Sequence, residues 1–225
     1  MNKIEAVMFD LDETLLDREK AVGIMFDVII DKFYKNTDIT KKQYNNMLCE
    51  FKKYDNRGYG DKTVVMDSLF NEFTPSFMIS KTEFLDFWDR TFHKCFSRDE
   101  ERINTVIKLQ EYVKTAIITN GSVKSQSGKI EYTNLDKLFE VIIVSDEVGI
   151  KKPDPKIFEL ALSKIDVLPE NALFVGDDLK NDIYGCQNAG MLGIWYNPYN
   201  FKNDTDIKPF AEIHSFTELL SYINL

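Results

Sequence analysis

The chain has 225 residues, of which 44% are hydrophobic and 13% aromatic, so it can bury a sizeable core and is not an intrinsically disordered protein. It carries 37 acidic against 28 basic residues, and this net charge of −9 argues against a nucleic acid polymer as partner, because phosphate backbones are bound by clustered Lys and Arg. No apolar run approaches the ~18–20 residues of a membrane span, and three widely spaced cysteines favour reduced thiols in a cytoplasmic protein.

The first predicted element is a strand at residues 4–9 (IEAVMF), a short apolar run. From Asp17 to Phe96 the pattern changes, because apolar residues there recur at the spacing of amphipathic helices. Ser80 followed by Glu83 forms a capping box that predicts the start of the last of these helices. This segment is therefore predicted to be a block of helices that follows the first strand.

Beyond about Ile103, short apolar runs typical of strands alternate with helical segments. The predicted strands are residues 115–119, 141–144, 172–176 and 192–196. The predicted helices are residues 123–136, 155–165 and 179–189. The tail from His214 to Leu225 is predicted to hold the end of an edge strand and a final amphipathic helix.

This alternation predicts an α/β fold, a doubly wound parallel sheet of the Rossmann-like kind. The first strand belongs to the sheet but precedes the helical block, so the block is predicted to be an inserted α-helical cap domain. We therefore expect two domains. They are an α/β core of residues 1–16 and 100–225, and a cap of residues 17–99.

Polar residues follow four of the predicted strands. Ligands of open α/β sheets bind beyond the carboxyl ends of the strands, so these residues are expected to meet at one rim. In chain order they are Asp10 and Asp12; Thr119, Asn120 and Gly121; Lys151 and Lys152; and Asp177, Asp178 and Asp182. Any single group is ordinary turn chemistry, but four such groups on one rim predict a functional site.

The chemistry that suits this set is Mg²⁺-assisted phosphoryl transfer through an aspartate. Converging carboxylates need a cation, and hard oxygen ligands favour Mg²⁺, with Asp10 and Asp177 as the best side-chain ligands. Asp10 is expected to attack phosphorus and form an aspartyl-phosphate. Asp12 is expected to protonate the leaving oxygen and then to take a proton from the hydrolytic water.

The remaining phosphate oxygens need donors that stabilise charge in the transition state. The Thr119 hydroxyl, the Asn120 main-chain N–H and the Lys152 ammonium are predicted to supply them. The lysine would also offset the repulsion between the carboxylates.

These residues resemble the four motifs of the haloacid dehalogenase-like hydrolase superfamily, in the family's order and spacing. The matching stretches are Asp10-Leu11-Asp12-Glu13-Thr14, Thr119-Asn120-Gly121, Lys152-Pro153, and Gly176-Asp177-Asp178 with Asp182. The resemblance implies that Asp10 is the nucleophile and Asp12 the general acid/base, that Thr119 and Lys152 bind phosphate, and that Asp10, Asp12 and Asp177 hold the metal. It implies supporting roles for Asp182 and Asp178.

The helical insertion resembles the α-helical cap of the first type in this superfamily, which closes over the site. The strings "SDEVGIKKPDPKIFELAL" and "ITNG" also resemble bacterial pyrimidine 5'-nucleotidases. The expected function is therefore a Mg²⁺-dependent phosphomonoesterase acting on a small soluble phosphate ester, with a nucleoside 5'-monophosphate as the first candidate. Tyr54, Arg57 and Tyr59, in a Gly-rich bend of the cap, are candidates for substrate specificity. Glu13 has no chemical role that the sequence supports.

Several alternatives stay open at this point. A phosphatase of sugar phosphates or other small metabolites, or a phosphomutase, would use the same pair of aspartates. A 2-haloacid dehalogenase would attack carbon and need no metal, and Asp12 and Asp177 argue against it. A receiver-type signalling module would carry its phosphoacceptor on a middle strand and would lack a large cap. The expected partner is a small phosphorylated metabolite rather than a membrane, and the protein is expected to be a monomer or homodimer.

Overall fold

The computed structural model of the chain describes residues 3–223. The chain divides into two compact units, one made of the segments before Arg18 and after Ser97, and the other of Arg18–Ser97. The first is an α/β unit and the second is entirely helical between its turns. The role of the helical unit as a cap, and the predicted domain limits, stay predictions.

The α/β unit is built on a six-stranded sheet with the order β3-β2-β1-β4-β5-β6, and every pairing in it is parallel. The strands are β1 (Ala6–Phe9), β2 (Lys114–Thr119), β3 (Val141–Val144), β4 (Ala172–Gly176), β5 (Leu192–Tyr196) and β6 (Ala211–Ile213). This strand order is that of a doubly wound Rossmann-like sheet, as the sequence predicted.

The tail differs in detail from its prediction. The edge strand β6 ends at Ile213, one residue before the predicted tail begins, and the helical segment Phe216–Tyr222 is a 3₁₀ helix. A capping box formed by Ser215 and Glu218 starts this segment. The last two residues of the predicted helix, 224–225, lie outside the described residues.

Helices pack on both faces of the sheet because successive strand residues point to opposite sides. Met8 of β1 belongs to a buried cluster that contains Phe158 and Phe174, whose rings meet edge to face at 5.0 Å. Its neighbour Phe9 points the other way and stacks on Phe216, with ring centroids 5.8 Å apart. Both strand residues are fully buried, so the two faces share β1 as their centre.

The helical unit holds four α-helices: α1 (Arg18–Phe33), α2 (Lys41–Asp55), α3 (Lys62–Glu72) and α4 (Lys81–Thr91). The capping box of Ser80 and Glu83 starts α4, as predicted. Phe33 lies at the centre of this unit's own aromatic core, with ring centroids 5.3 Å from Phe70 and 6.3 Å from Phe84. Such rings bury large areas and prefer tilted or edge-to-face contacts.

The described part of the α/β unit adds five α-helices: α5 (Glu100–Gln110), α6 (Val123–Tyr132), α7 (Ser145–Val148), α8 (Pro155–Ile165) and α9 (Gly185–Asn188). The prediction for α8 is confirmed, because Asp154 caps it and Pro155 occupies its first turn. The predicted helix 123–136 ends earlier, since Asn134 adopts a left-handed φ of 55° that breaks it. The predicted helix 179–189 is divided into a π-helical turn, Leu179–Tyr184, and α9.

No helix within residues 3–223 is long and apolar enough to cross a membrane.

Candidate active site

The polar residues predicted from the strand ends lie together at one edge of the sheet. Asp10 follows the central strand β1, and its main-chain N–H donates to Val175 O of β4 at 2.9 Å. Thr119 ends β2, and Asp177 follows Gly176, the last residue of β4. Strands β2 and β3 lie on one side of β1, and β4, β5 and β6 lie on the other. The strand order therefore reverses at β1, and open α/β sheets bind ligands in the crevice at such a point.

Lys152 is the cationic centre of this edge. Its ammonium donates to Asp10 Oδ1 at 2.6 Å and to Asp182 Oδ1 at 2.7 Å. Burial acts to lower the pKa of Lys152, but the two carboxylates outweigh it and hold that pKa above its usual value. Lys152 is therefore a permanent positive charge between two acids that would otherwise repel each other.

Asp10 has an unusual protonation equilibrium. Burial raises its pKa to about 7, the Asp182 and Asp12 carboxylates act in the same direction, and the charge and hydrogen bond of Lys152 oppose the shift. Burial also raises the pKa of Asp182 despite its bond to Lys152. Perturbed carboxylates of this kind cluster at functional sites, because catalysis needs groups poised near the working pH.

Three carboxylates at this edge could hold a metal ion. One oxygen from each of Asp10, Asp177 and Asp182 lies within 4.8 Å of the others. Carboxylate oxygens are the ligands that Mg²⁺ prefers, so this donor set fits the ion expected from the sequence. The set includes Asp182, for which the sequence indicated a supporting role, and not the Asp12 carboxylate. The assignment of Asp12 to the metal stays a prediction.

The turn after β4 is held by its own acids. Asp178 Oδ1 accepts from the main-chain N–H groups of Lys180 and Asn181, at 2.9 and 2.8 Å, so Asp178 caps the π-helical turn. Its own N–H donates to Asp182 Oδ2 at 3.0 Å. The carboxylate of Asp178 thus has a local structural task, whereas Asp182 links this turn to Lys152.

The sequence predicted a role for the main-chain N–H of Asn120, and the structure shows that the side chain of Asn120 also makes contacts. Its side chain accepts from the Lys152 N–H at 2.9 Å and donates to the Lys152 carbonyl at 3.0 Å. This two-point clamp joins the end of β2 to the segment that carries the lysine. Thr119, which is 1% exposed, has its hydroxyl 2.5 Å from the amide nitrogen of Gln126.

Asp12 faces two side chains that the sequence analysis missed. Lys129 donates to both of its oxygens, at 2.9 and 2.7 Å, and Gln126 donates to Oδ2 at 3.1 Å. Both lie on α6, directly after the Asn120-Gly121 turn, at the i, i+3 spacing that puts two side chains on one helix face. Their burial appears only in the structure, because in the sequence a Gln and a Lys within a helix look the same as solvated residues.

The three specificity candidates lie in the helical unit, at the turn between α2 and α3. Tyr54 is in the last turn of α2, under the Lys53 ammonium at 4.9 Å. Arg57 has a left-handed φ of 54°, and Tyr59 is 71% exposed. The structure places them in this turn only, and their contact with substrate stays a prediction. In the α/β unit, Glu13 lies in the turn after β1 and also has a left-handed φ, of 60°.

One protein-family model matches most of the chain. The model of the haloacid dehalogenase-like hydrolase family matches residues 7–195. The chain therefore belongs to the haloacid dehalogenase-like hydrolase family, as the resemblance of its four motifs predicted.

Individual relatives narrow this class. The glyceraldehyde 3-phosphate phosphatase of Pyrococcus furiosus is 32% identical over 224 residues, which cover 97% of this chain and 91% of that protein. The pyrimidine 5'-nucleotidase YjjG of Escherichia coli is 37% identical, but over 108 residues, which cover 47% of this chain and 48% of that protein. The magnesium-bound HAD-hydrolase YfnB of Bacillus subtilis is 24% identical, with a TM-score of 0.78 and full coverage (100%) of both chains, and it shares the fold. The chain is thus an enzyme whose near full-length relatives include phosphatases.

Proposed function

We propose that this protein is a Mg²⁺-dependent phosphomonoesterase that acts through an aspartyl-phosphate on a small phosphate ester. The observation that carries the proposal is the meeting of Asp10, Asp177 and Asp182 within 4.8 Å, with the Lys152 ammonium 2.6 Å from Asp10. Carboxylates packed this closely suit a cation, and the lysine beside them suits an anionic substrate.

Asp10 is the proposed nucleophile. It stands at the carboxyl end of the central strand, and it is 9% exposed, so the attacking carboxylate is largely shielded from water. One of its oxygens forms the bond to phosphorus while the ester bond to the leaving oxygen breaks. Asp10, Asp177 and Asp182 would hold the Mg²⁺, which when bound supplies positive charge that orients the phosphoryl group and favours ionised Asp10.

Asp12 is the proposed general acid and base. Its side chain is 23% exposed, so it can exchange protons with substrate and water. It gives a proton to the leaving oxygen as the ester bond breaks. It then accepts a proton from the water that hydrolyses the acyl phosphate, which returns Asp10 as a free carboxylate.

The phosphate donors are Lys152, the Thr119 hydroxyl and the main-chain N–H of Asn120. Their positions are fixed before substrate binds, because Asn120 clamps the main chain of Lys152 and Gln126 holds Thr119. Preorganised donors cost no rearrangement when charge develops in the transition state, which is the main source of catalysis in phosphoryl transfer.

The alternatives divide on specific residues. A 2-haloacid dehalogenase needs neither Asp12 nor a metal site. The hydrogen bonds to Asp12 and the carboxylate cluster that could hold a metal therefore disfavour it. A receiver-type module does not fit membership of a hydrolase family that spans residues 7–195. A phosphomutase uses the same two acids and differs only in passing the phosphoryl group to a second sugar hydroxyl instead of water.

Two substrate classes are supported. A nucleoside 5'-monophosphate follows from the motif strings and from the likeness to the E. coli nucleotidase, which spans 47% of this chain. A phosphorylated three-carbon aldehyde or another sugar phosphate is favoured by the likeness to the P. furiosus phosphatase, which spans 97% of this chain. The second likeness includes nearly all of the helical unit, in which the specificity candidates lie.

The test begins with release of phosphate from p-nitrophenyl phosphate. We expect activity with Mg²⁺, loss of activity with EDTA, and a loss of several orders of magnitude for Asp10→Asn. Asp136→Asn, which makes the same change at an exposed residue, is the control. Activity that survives chelation or the loss of the Asp10 carboxylate would overturn the mechanism.

The substrate class is then tested with a panel of nucleoside 5'-monophosphates, glyceraldehyde 3-phosphate and hexose phosphates. A kcat/KM advantage of about tenfold or more for one class decides between them. Appearance of an isomeric sugar phosphate without free phosphate would instead show a phosphomutase.

A further inference from the structure

Two buried polar side chains of α6 do not belong to any of the four motifs. Lys129 is 3% exposed and Gln126 is 2% exposed, although Lys is among the residues least often buried. Desolvating an ammonium group is costly, and it persists in a core only when it is paired and fully hydrogen-bonded. A buried lysine and glutamine at these positions should therefore have hydrogen-bonding partners, with a negative charge opposite the lysine.

That partner is Asp12. The Lys129 ammonium donates to both Asp12 oxygens, at 2.9 and 2.7 Å, and to Gln126 Oε1 at 2.7 Å. An ammonium has three N–H donors and no acceptor, so it can bond to all three of these oxygens. Lys129 thus binds Asp12 and the side chain beside it.

Gln126 completes the same arrangement. Its carbonyl oxygen faces the ammonium, so its amide nitrogen faces three acceptors opposite: Asp12 Oδ2 at 3.1 Å, the Thr119 hydroxyl at 2.5 Å and the Asn120 carbonyl at 3.1 Å. A single amide therefore connects the proposed proton carrier to a proposed phosphate donor. Gly121 leaves room for it, because a Cβ at that position would lie 3.0 Å from two carbons of the Gln126 side chain.

Asp12 itself does not need this environment for its solvation. Its side chain is 23% exposed, and water can satisfy a carboxylate at that position, whereas the lysine that meets it is 4% exposed. A chelating contact at both oxygens does, however, remove the freedom of the carboxylate to turn about its own axis. The arrangement is therefore suited to orientation.

The two lysines Lys129 and Lys152 form ion pairs with different acids of the site. Lys152 contacts Asp10 and Asp182, while Lys129 contacts Asp12. The carboxylate proposed to attack phosphorus and the one proposed to carry protons are thereby held by different cations on different elements. Each can be disturbed without removing the partner of the other, which makes the two roles separable by mutation.

We propose that Lys129 and Gln126 are positioning residues that hold the Asp12 carboxylate in the orientation from which it meets the leaving oxygen of the substrate. This inference rests on the proposed function. Neither side chain need touch the substrate, and their effect passes through Asp12. A small misplacement of a catalytic group is sufficient to cost a large factor in rate.

The test exploits the dependence of general acid catalysis on the leaving group. An alkyl phosphate must have its leaving oxygen protonated, whereas p-nitrophenolate leaves without a proton. We expect Lys129→Met to lower kcat/KM for an alkyl phosphate by about 10- to 100-fold and for p-nitrophenyl phosphate by less than about threefold. Lys129→Arg, which keeps the charge, should recover part of the alkyl phosphate activity. Lys164→Met, the same change on an exposed part of α8, should alter neither.

A double-mutant cycle with Asp12→Asn separates action through Asp12 from a general effect. If Lys129 acts through Asp12, Lys129→Met should lower the residual p-nitrophenyl phosphate and alkyl phosphate activities of Asp12→Asn by less than about threefold. Equal losses on both substrates in the single variant, or losses that multiply in the double variant, would overturn the inference.

Folding is checked by circular dichroism and thermal unfolding. If Lys129→Met does not fold, Lys129→Gln, which keeps a polar group against Gln126, is subject to the same two expectations. Mg²⁺-dependent activity of the wild type and its loss in Asp10→Asn test the proposed function separately. If those fail, both proposals fall, whereas an active wild type with no selectivity in the Lys129 variants refutes this inference alone.

Discussion

Lys152 and Asp182 form an ion pair 2.7 Å long between side chains that are 2% and 1% exposed. The second oxygen of Asp182 accepts from the main-chain N–H of Asp178. The pair therefore joins the segment after β3 to the turn after β4, and it keeps Lys152 beside Asp10. Breaking a buried pair by removing one partner typically costs about 3–5 kcal/mol, so the geometry of this site and its stability are coupled.

Gly176 gives a test of this coupling without removing any charge. A Cβ at this residue would lie 2.3 Å from Asp182 Oδ2 and 2.4 Å from its Cγ, closer than any real contact. We expect Gly176→Ala to displace Asp182, to lower the free energy of unfolding by about 1–3 kcal/mol, and to reduce kcat by about 100-fold.

Gly23 of α1 is the matched control, because nothing lies within 4 Å of a Cβ built there. Gly23→Ala should raise the free energy of unfolding by about 0.5–1 kcal/mol, since alanine loses less backbone entropy in a helix. Urea unfolding and phosphatase assays on both variants make the measurement. Full activity in Gly176→Ala would show that the position of Asp182 is not critical.

The pKa of Asp10 predicts that metal binding and proton release are linked. Burial raises this pKa from 3.8 to about 7 in the metal-free protein, and Mg²⁺ binds the ionised form. Affinity for Mg²⁺ should therefore rise as the pH increases from about 6 to about 8, with release of a fraction of a proton per ion at the lower pH. Calorimetric titration in two buffers of different ionisation enthalpy measures that fraction, and Asp10→Asn should abolish the part due to this group.

The same pKa sets the sign of the stability effect without metal. The folded protein holds the Asp10 proton more tightly than the unfolded chain does, so the contribution of this group is present in full below about pH 4 and is lost as the pH rises through about 7. Asp10→Asn should be stabilised relative to wild type at about pH 8 and should gain less at about pH 5. Asp136→Asn, at an exposed residue, should show no such pH dependence. A wild-type protein that gains stability across this range relative to Asp10→Asn would contradict the argument.

The clamp of Asn120 on Lys152 predicts a selective loss. Asn120→Ala leaves both the N–H and the carbonyl of Lys152 without their side-chain partner, which costs about 1–3 kcal/mol of stability when such groups are buried. It should also lower kcat for p-nitrophenyl phosphate, because the lysine loses its main-chain support. Asn45→Ala, at an exposed residue of α2, is the control and should leave kcat unchanged. Equal kcat values for the two variants would mean that the clamp does not position Lys152.

The helical unit contains its own buried ion cluster. Both Nη atoms of Arg18 contact Asp55, at 3.0 and 2.7 Å, and Lys62 donates to Asp55 at 2.7 Å. Asp55→Ala would leave the buried Arg18 without this acid, so we expect a loss of about 3–5 kcal/mol in the free energy of unfolding. Asp67→Ala breaks an exposed pair with Lys81 and should cost less than about 1 kcal/mol.

The acid dependence of this cluster has a definite sign. Burial acts to raise the pKa of Asp55, but the hydrogen bonds and charge of Arg18 and the charge of Lys62 outweigh it and hold that pKa below its usual value. The stability from ionised Asp55 is therefore present above the unfolded value, about 4, and is lost as the pH falls through the lower folded value. Urea unfolding of wild type and Asp55→Ala at about pH 7 and about pH 3 should give a difference that shrinks on acidification. A difference that stays constant would mean that Asp55 contributes by packing alone.

The α/β architecture could be predicted because its signals are local. Strands β3, β4 and β5 have the predicted limits, since a short apolar run bounded by turn residues defines each of them. The helix predicted at 123–136 was too long because only the left-handed backbone of Asn134 ends the helical pattern, and apolar spacing does not register backbone conformation. Strand β6 has three residues, too few for an alternating pattern.

The candidate site could be predicted in its composition but not in its pairings. Asp10, Asp12, Lys152 and Asp177 could be predicted as site residues because they follow predicted strands, and the carboxyl ends of parallel strands share one edge. Lys129 was missed, since a lysine within a helix is indistinguishable in sequence from a solvated one. The Asn120 side chain was assigned no contact, because its acceptor and donor lie 32 positions along the chain.

The sequence by itself determined which residues stand at the catalytic edge and which chemistry they suit, because strand periodicity, turn residues and motif spacing are all read over short distances. Only the tertiary structure decided which cation meets which acid. Lys152 contacts Asp10 across 142 positions, and Lys129 contacts Asp12 across 117. Such pairings depend on how separate strands and helices pack, and on the desolvation that packing imposes, so they exist only once the sheet has assembled.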